Sequence, residues 1–234
     1  MDHAPLISLN QQRWQSANLT RGAEFTPVAR RLVTAKARYQ EIERITGVPW
    51  FVIAVIHQRE ASQRWDRSIA QGDPWDKVSI HVPKGRGPFP SWKDAALDAL
   101  KHCAPYAANW TNWTPGGAMT LLELYNGLGY FRKGLPSPYV WAGTDQYKRG
   151  KYVADGVFDP NVIDKQLGCA GLILAMQALD PGILLDGETR LPPDIAPPDV
   201  SSRDIAPPGA PPEEWKSAGS LVLKVLKFLF WKRS

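Results

Sequence analysis

Within residues 1–186 apolar positions recur mainly at helical spacing. Thr26-Pro27 reads as an N-cap followed by a proline at the first helical position, and Gly47 as the stop. Between them Val28, Leu32, Ala35, Tyr39 and Ile42 form one stripe, leaving Arg30, Arg31, Arg38 and Glu41 mostly outside. A second helix begins at Pro49 and reads WFVIAVI, apolar on every side, which places it in the middle of a core. Ser91 opens a third, with Trp92, Ala96, Ala99, Leu100 and Cys103 facing inward. Residues 118–126 give a fourth, ended by Gly127. Asp159-Pro160 caps a fifth, with Ile163, Leu167, Ala170, Leu174 and Ala178 on one stripe and Pro181 beyond its end. Only VSIHV, residues 78–82, alternates as a strand does. The expected class is mainly α with a small β-hairpin or sheet.

Periodicity stops near residue 187. Residues 187–212 contain DIAPP twice and several proline pairs, which deny backbone donors and favour extended polyproline conformations. This predicts a helical domain over 1–186, a proline-rich linker over 187–212 and a short tail over 213–234. The linker carries two basic and four acidic residues, whereas the tail carries five basic and two acidic. In the tail, Leu221–Trp231 spans eleven residues, about 16 Å as a helix, too short for a hydrocarbon core of about 30 Å. Lys224 and Lys227 share one side of that stretch, and Lys232 and Arg233 follow Trp231. A basic amphipathic helix lying on an anionic membrane or lipopolysaccharide is the expectation.

Composition narrows the class further. At 44% hydrophobic and 22% charged residues the chain is not wholly disordered. No run of eighteen apolar residues is present to span a bilayer. The start, MDHAPLISLNQQRW, lacks the basic stretch and apolar core of a secretory signal. Cys103 and Cys169 are too few for a disulfide scaffold and read as buried thiols. The net charge of +5 suits an anionic partner. Neither a phosphate-binding glycine loop, a nucleophile elbow nor a zinc signature occurs, so nucleotide, serine-hydrolase and metalloprotease readings have no support. No metal or organic cofactor and no nucleic-acid partner is expected.

Glu60 is the first candidate for chemistry. Ile56 and Ile53 lie four and seven residues before it, so its carboxyl ends an apolar stripe at the edge of the core. Desolvation there favours a protonated acid, the form that glycoside cleavage requires. The competing reading is a surface glutamate paired with Arg59 or Arg64. Asp73, between Gly72 and Pro74, has turn chemistry, and Asp76 follows three residues on. Asp73 would either hold a water opposite Glu60 or merely support its turn. His57, one turn before Glu60, reads as a satisfied histidine at the core edge. Tyr125, Tyr130, Tyr139, Trp141, Tyr147 and Tyr152 crowd a later stretch. Aromatic faces suit sugar rings, and Tyr147 is nominated for substrate binding.

The order REAS after an apolar helix, then QGDPW, HVPKGRGPFPSW, LYNGLGY, PSPYVWAGT and GKYVADGVFD resembles the bacterial and phage lysozyme family proteins. The resemblance covers roughly residues 27–182. It implies a lysozyme-like fold, distantly related to goose-type lysozymes and lytic transglycosylases, and a peptidoglycan-cleaving enzyme. By this likeness Glu60 matches the catalytic acid at the end of the central helix, and Asp73 the aspartate of an NGDP-type loop. Gln71 stands where that loop has asparagine. The step from Asp73 to Ser79 resembles an aspartate-to-threonine spacing of some phage lysozymes, with serine in place of threonine. LYNGLGY resembles the segment that lines the glycan groove, which nominates Tyr125 and Asn126. The resemblance implies a monomeric, endolysin-like muramidase that cleaves the β-1,4 bond between N-acetylmuramic acid and N-acetylglucosamine. It would be made in the cytoplasm and act in the periplasm and wall, released through a holin pore or exported by another route. A lytic transglycosylase and a non-catalytic wall-glycan-binding protein are the alternatives.

Overall fold

A computed structural model describes residues 2–154 and 156–189. Most of the proline-rich segment and all of the basic tail, with its expected helix and lipid partner, lie outside the described residues. Within them nine α-helices run in the order α1 (Ala4–Ser16), α2 (Gly22–Thr34), α3 (Lys36–Thr46), α4 (Trp50–Ala61), α5 (Trp92–His102), α6 (Pro115–Asn126), α7 (Gly129–Arg132), α8 (Pro138–Trp141) and α9 (Cys169–Leu179). One antiparallel hairpin, β1 (Lys151–Ala154) and β2 (Val157–Asp159), precedes α9. The fold is mainly α with a small sheet.

The WFVIAVI run fixes the centre. Val52 through Ile56 are fully inaccessible, and α4 packs against α2, α3 and α9. Burying each of its Val and Ile side chains contributes roughly 1.5–3 kcal/mol, so this helix organises the rest. Gly171 lets α9 close on α2: a Cβ there would stand 2.3 Å from the Phe25 ring. The caps behave as their residues suggest. Ser91 Oγ accepts from Asp94 N at 3.2 Å, Thr114 Oγ1 accepts from Gly117 N at 3.2 Å, and Gly47 ends α3 in the left-handed conformation. Cys103 and Cys169 are buried free thiols.

Three expectations are corrected. The helix read from Thr26 to Gly47 is two helices that part at Ala35, and the first starts at Gly22 with Pro27 inside it. Thr26 is no cap, since its hydroxyl bonds back to Gly22 O at 3.2 Å. The helix expected from Asp159 starts only at Cys169: Asp159 ends β2, and Ile163 is 59% exposed. Residues 78–82 form no strand. Their pattern is inverted, with Ser79 buried and Val78 and Ile80 exposed, because hydrogen bonds to polar groups hold the segment. At the other end, Glu188 accepts from Trp14 Nε1 of α1 at 2.9 Å and from Gln177 Nε2 of α9 at 2.7 Å.

Two fully buried ionisable groups oppose each other. His57 receives the Tyr39 hydroxyl on Nδ1 at 3.0 Å and meets Arg64 O through Nε2 at 2.9 Å, among Trp65 and Trp92. Burial pushes its pKa from 6.5 down to about 4. Glu123 in α6 is approached by Arg13, Asn10 and the Phe131 amide, yet neither carboxyl oxygen closes a hydrogen bond of ordinary geometry. Burial lifts its pKa from 4.5 to about 7. The unfolded state takes up a proton at His57 first, so stability from His57 is lost as pH falls from 6.5 through 4. The folded state holds the Glu123 proton longer, so stability is lost as pH rises from 4.5 through 7. Each amounts to about 3 kcal/mol at its limit, and the two slopes offset one another. Glu123→Gln is therefore expected to unmask the His57 slope, with urea-unfolding stability rising by about 3 kcal/mol between pH 4 and 7. Parallel pH profiles for the variant and the wild type would refute this.

Candidate active site

Glu60 is the penultimate residue of α4, at the point where that helix leaves the core, and its side chain is partly exposed. The Tyr139 hydroxyl of α8 donates to Glu60 Oε1 at 3.1 Å. Tyr139 is itself fully buried. Burial, and then the nearby charge of Glu60, hold its hydroxyl well above the usual phenol range, so it remains a donor. The Arg59 guanidinium lies 4.7 Å from the Tyr139 ring centroid. Arg59 turns inward to Asp164 and Arg64 pairs with Asp66 at 2.6 Å, so these arginines are engaged elsewhere.

After α4 the chain reverses at Ser62 and Gln63, both with positive φ, and returns over the helix end. Gly72 (φ +68°) makes that return possible: a Cβ there would lie 2.6 Å from the Glu60 carbonyl oxygen. Asp73 follows, nearly buried at 5% exposure. Its Oδ2 accepts from the backbone of Ile80 at 3.1 Å and of His81 at 3.0 Å, and its Oδ1 meets His81 Nδ1 at 2.6 Å. Burial works to raise the Asp73 pKa, but the hydrogen bonds from His81 and Ile80 outweigh it and hold the carboxyl below its ordinary value. Ser79 closes the following loop. Its hydroxyl donates to Pro83 O at 2.8 Å and accepts from Arg86 N at 2.9 Å, while Arg86 pairs with Asp98 of α5.

Glu60 and Asp73 are thus brought to one helix end. Tyr125 joins them indirectly: its hydroxyl donates to Ile69 O at 2.9 Å and pins the returning loop to α6. Asn126 ends the same helix, 6% exposed. Tyr147 serves another centre, where its hydroxyl donates to Gly150 O at 3.1 Å and accepts from Asp164 N at 3.0 Å. Asp164 also holds Arg59 at 3.3 Å and Lys151 at 2.9 Å. Asp76 is exposed. Two residues gain roles that the sequence did not show: Tyr139, which orients Glu60, and His81, which is paired with Asp73. Both sit in quoted motifs, PSPYVWAGT and HVPKGRGPFPSW, and Tyr139 also belongs to the aromatic group of the later stretch.

The arrangement gathers a carboxyl oriented by a phenol and a carboxylate–imidazole pair on a braced loop. Such groups perform proton transfer. No cluster of three or more His, Cys, Asp or Glu side chains suited to a metal occurs among the described residues. No family model matches this chain, and neither a curated protein nor a solved structure matches it significantly.

Proposed function

We propose that this protein is a peptidoglycan glycosidase of the lysozyme type, cleaving the β-1,4 bond between N-acetylmuramic acid and N-acetylglucosamine. The observation that carries the reading is the Tyr139–Glu60 hydrogen bond at the C-terminal end of α4, where that helix leaves the core. A carboxyl in that place is oriented by a donor and half removed from water, as a general acid needs to be. Glu60 gives its proton to the glycosidic oxygen, the C1–O bond breaks through an oxocarbenium-like state, and water completes the hydrolysis. The chain's net charge of +5 favours approach to an anionic wall polymer. The site of action under this reading is the cell wall.

Digestion of purified sacculi followed by mass spectrometry tests the reaction. Reducing muramic ends are expected. Products lighter by one water, as an intramolecular attack by the muramic acid hydroxyl would leave, would replace hydrolysis with lytic transglycosylation. Sacculi left uncut would remove the enzyme reading altogether.

A further inference from the structure

The geometry points to His81, held by Asp73, as the base that activates the attacking water opposite Glu60. This rests on the glycosidase reading above. Asp73 is poorly suited to take the proton itself: three hydrogen bonds occupy its two oxygens, and its pKa is depressed. A carboxylate so stabilised is a weak base. His81 is differently placed. Its Nδ1 is tied to the carboxylate at 2.6 Å, its side chain is 29% exposed, and its Nε2 meets no partner among the described residues. An ionised carboxylate on Nδ1 selects the tautomer with the hydrogen there and leaves the Nε2 lone pair outward.

The pair is close to the acid. Gly72 packs on the Glu60 carbonyl, with its Cβ position 2.6 Å away, and Asp73 is the next residue. Standard backbone dimensions then limit the Glu60–Asp73 Cα separation to about 10 Å. The loop is also braced for the task. Ser79 bonds across it to Pro83 and Arg86, Arg86 is anchored on Asp98, and Phe89 N reaches Trp75 O at 2.8 Å. A base held on such a loop loses little freedom when the substrate arrives.

The step balances. Water oxygen bonds to C1 as one of its protons passes to His81 Nε2. The C1–O electron pair leaves with the aglycone oxygen, which takes the Glu60 proton. One water is consumed, and solvent returns the proton from His81 to Glu60. Asp73 acts as a positioning residue throughout.

His81→Asn tests this, because the asparagine amide can still donate to Asp73 while offering no base. On soluble glycan fragments of purified peptidoglycan, kcat is expected to fall at least about 10²-fold. KM and the melting temperature should stay near the wild-type values, and free imidazole should restore part of the rate. Asp73→Asn is the second variant. Its amide would donate to His81 Nδ1, force the hydrogen onto Nε2 and give a comparable loss in a folded protein. Near wild-type kcat in His81→Asn, or losses that track a lowered melting temperature and ignore imidazole, would overturn the assignment. Glu60→Gln is run in parallel. If it is inactive while His81→Asn is active, only the His81 role fails. If it is active, the glycosidase reading fails first.

Discussion

Under the proposed glycosidase reading, Glu60→Gln is expected to abolish most glycan cleavage while leaving the fold unchanged. Glutamine has the same shape and its carbonyl oxygen still accepts from Tyr139, so the 3.1 Å hydrogen bond and the end of α4 are retained. What disappears is the proton. Without it the departing sugar oxygen leaves as an alkoxide, and general acid catalysis of this kind is worth at least about 10²-fold. At about 1.4 kcal/mol per tenfold, the barrier rises by about 2.7 kcal/mol or more. Turbidity clearing of outer-membrane-permeabilised Gram-negative cells, beside a thermal melt of each protein, makes the comparison. Equal clearing by both proteins would remove Glu60 from the chemistry.

The largest stability effect is expected next door. Asp164→Ala should cost about 3–5 kcal/mol, because it strands the Arg59 guanidinium inside the domain. The side chains of Arg59 and Asp164 are only 2% and 3% exposed, and Lys151 contributes a second cation 2.9 Å from Asp164. Burial alone would strip the Arg59 proton more readily, and the Asp164 charge more than compensates. Burial likewise works against the Asp164 carboxylate, which Arg59 and then Lys151 stabilise. Removing both partners, as in Arg59→Met with Asp164→Leu, should cost less, since the buried guanidinium is gone and only the half-buried Lys151 loses its partner. Urea unfolding of the two variants separates these cases, and a loss below about 1 kcal/mol in Asp164→Ala would show that water reaches Arg59. Because Arg59 rests on the Tyr139 ring, Asp164→Ala should also lower the proposed glycosidase activity.

What could be read from the sequence depended on whether a single local pattern decided the outcome. In α4, α5 and α6 it did: an unbroken apolar run, a serine cap and a stopping glycine each act within a few residues. In α1 the inward stripe is Leu6, Asn10 and Trp14, with a polar residue at its middle. Asn10 belongs there because its amide donates to Thr120 at 3.2 Å and its oxygen accepts from Trp141 Nε1 at 3.3 Å, partners more than a hundred residues away. Pro27 misled for a related reason. Its missing amide would have served Ala23, an exposed residue whose carbonyl can turn to water, so α2 tolerates it. The alternation of residues 78–82 was overridden by Asp73 and Ser79, whose hydrogen bonds draw polar side chains inward and leave Val78 and Ile80 outside. Glu60 was visible because its apolar stripe is local. Tyr139 and His81 were not, because one works across 79 positions and the other through a loop closed by buried polar bonds.

The Glu188 clasp has a mechanical consequence. Its carboxylate is shared between Trp14 of α1 and Gln177 of α9, with the Leu185 amide donating to it at 2.9 Å. Tension applied through the chain beyond residue 189 therefore enters the domain at a point gripped by its first and last helices. The loop from Ser62 to Arg86, which carries Asp73 and His81, is anchored instead to the end of α4, to α6 through Tyr125 and to α5 through Asp98. The load path therefore begins at α1 and α9, away from the loop that carries Asp73 and His81.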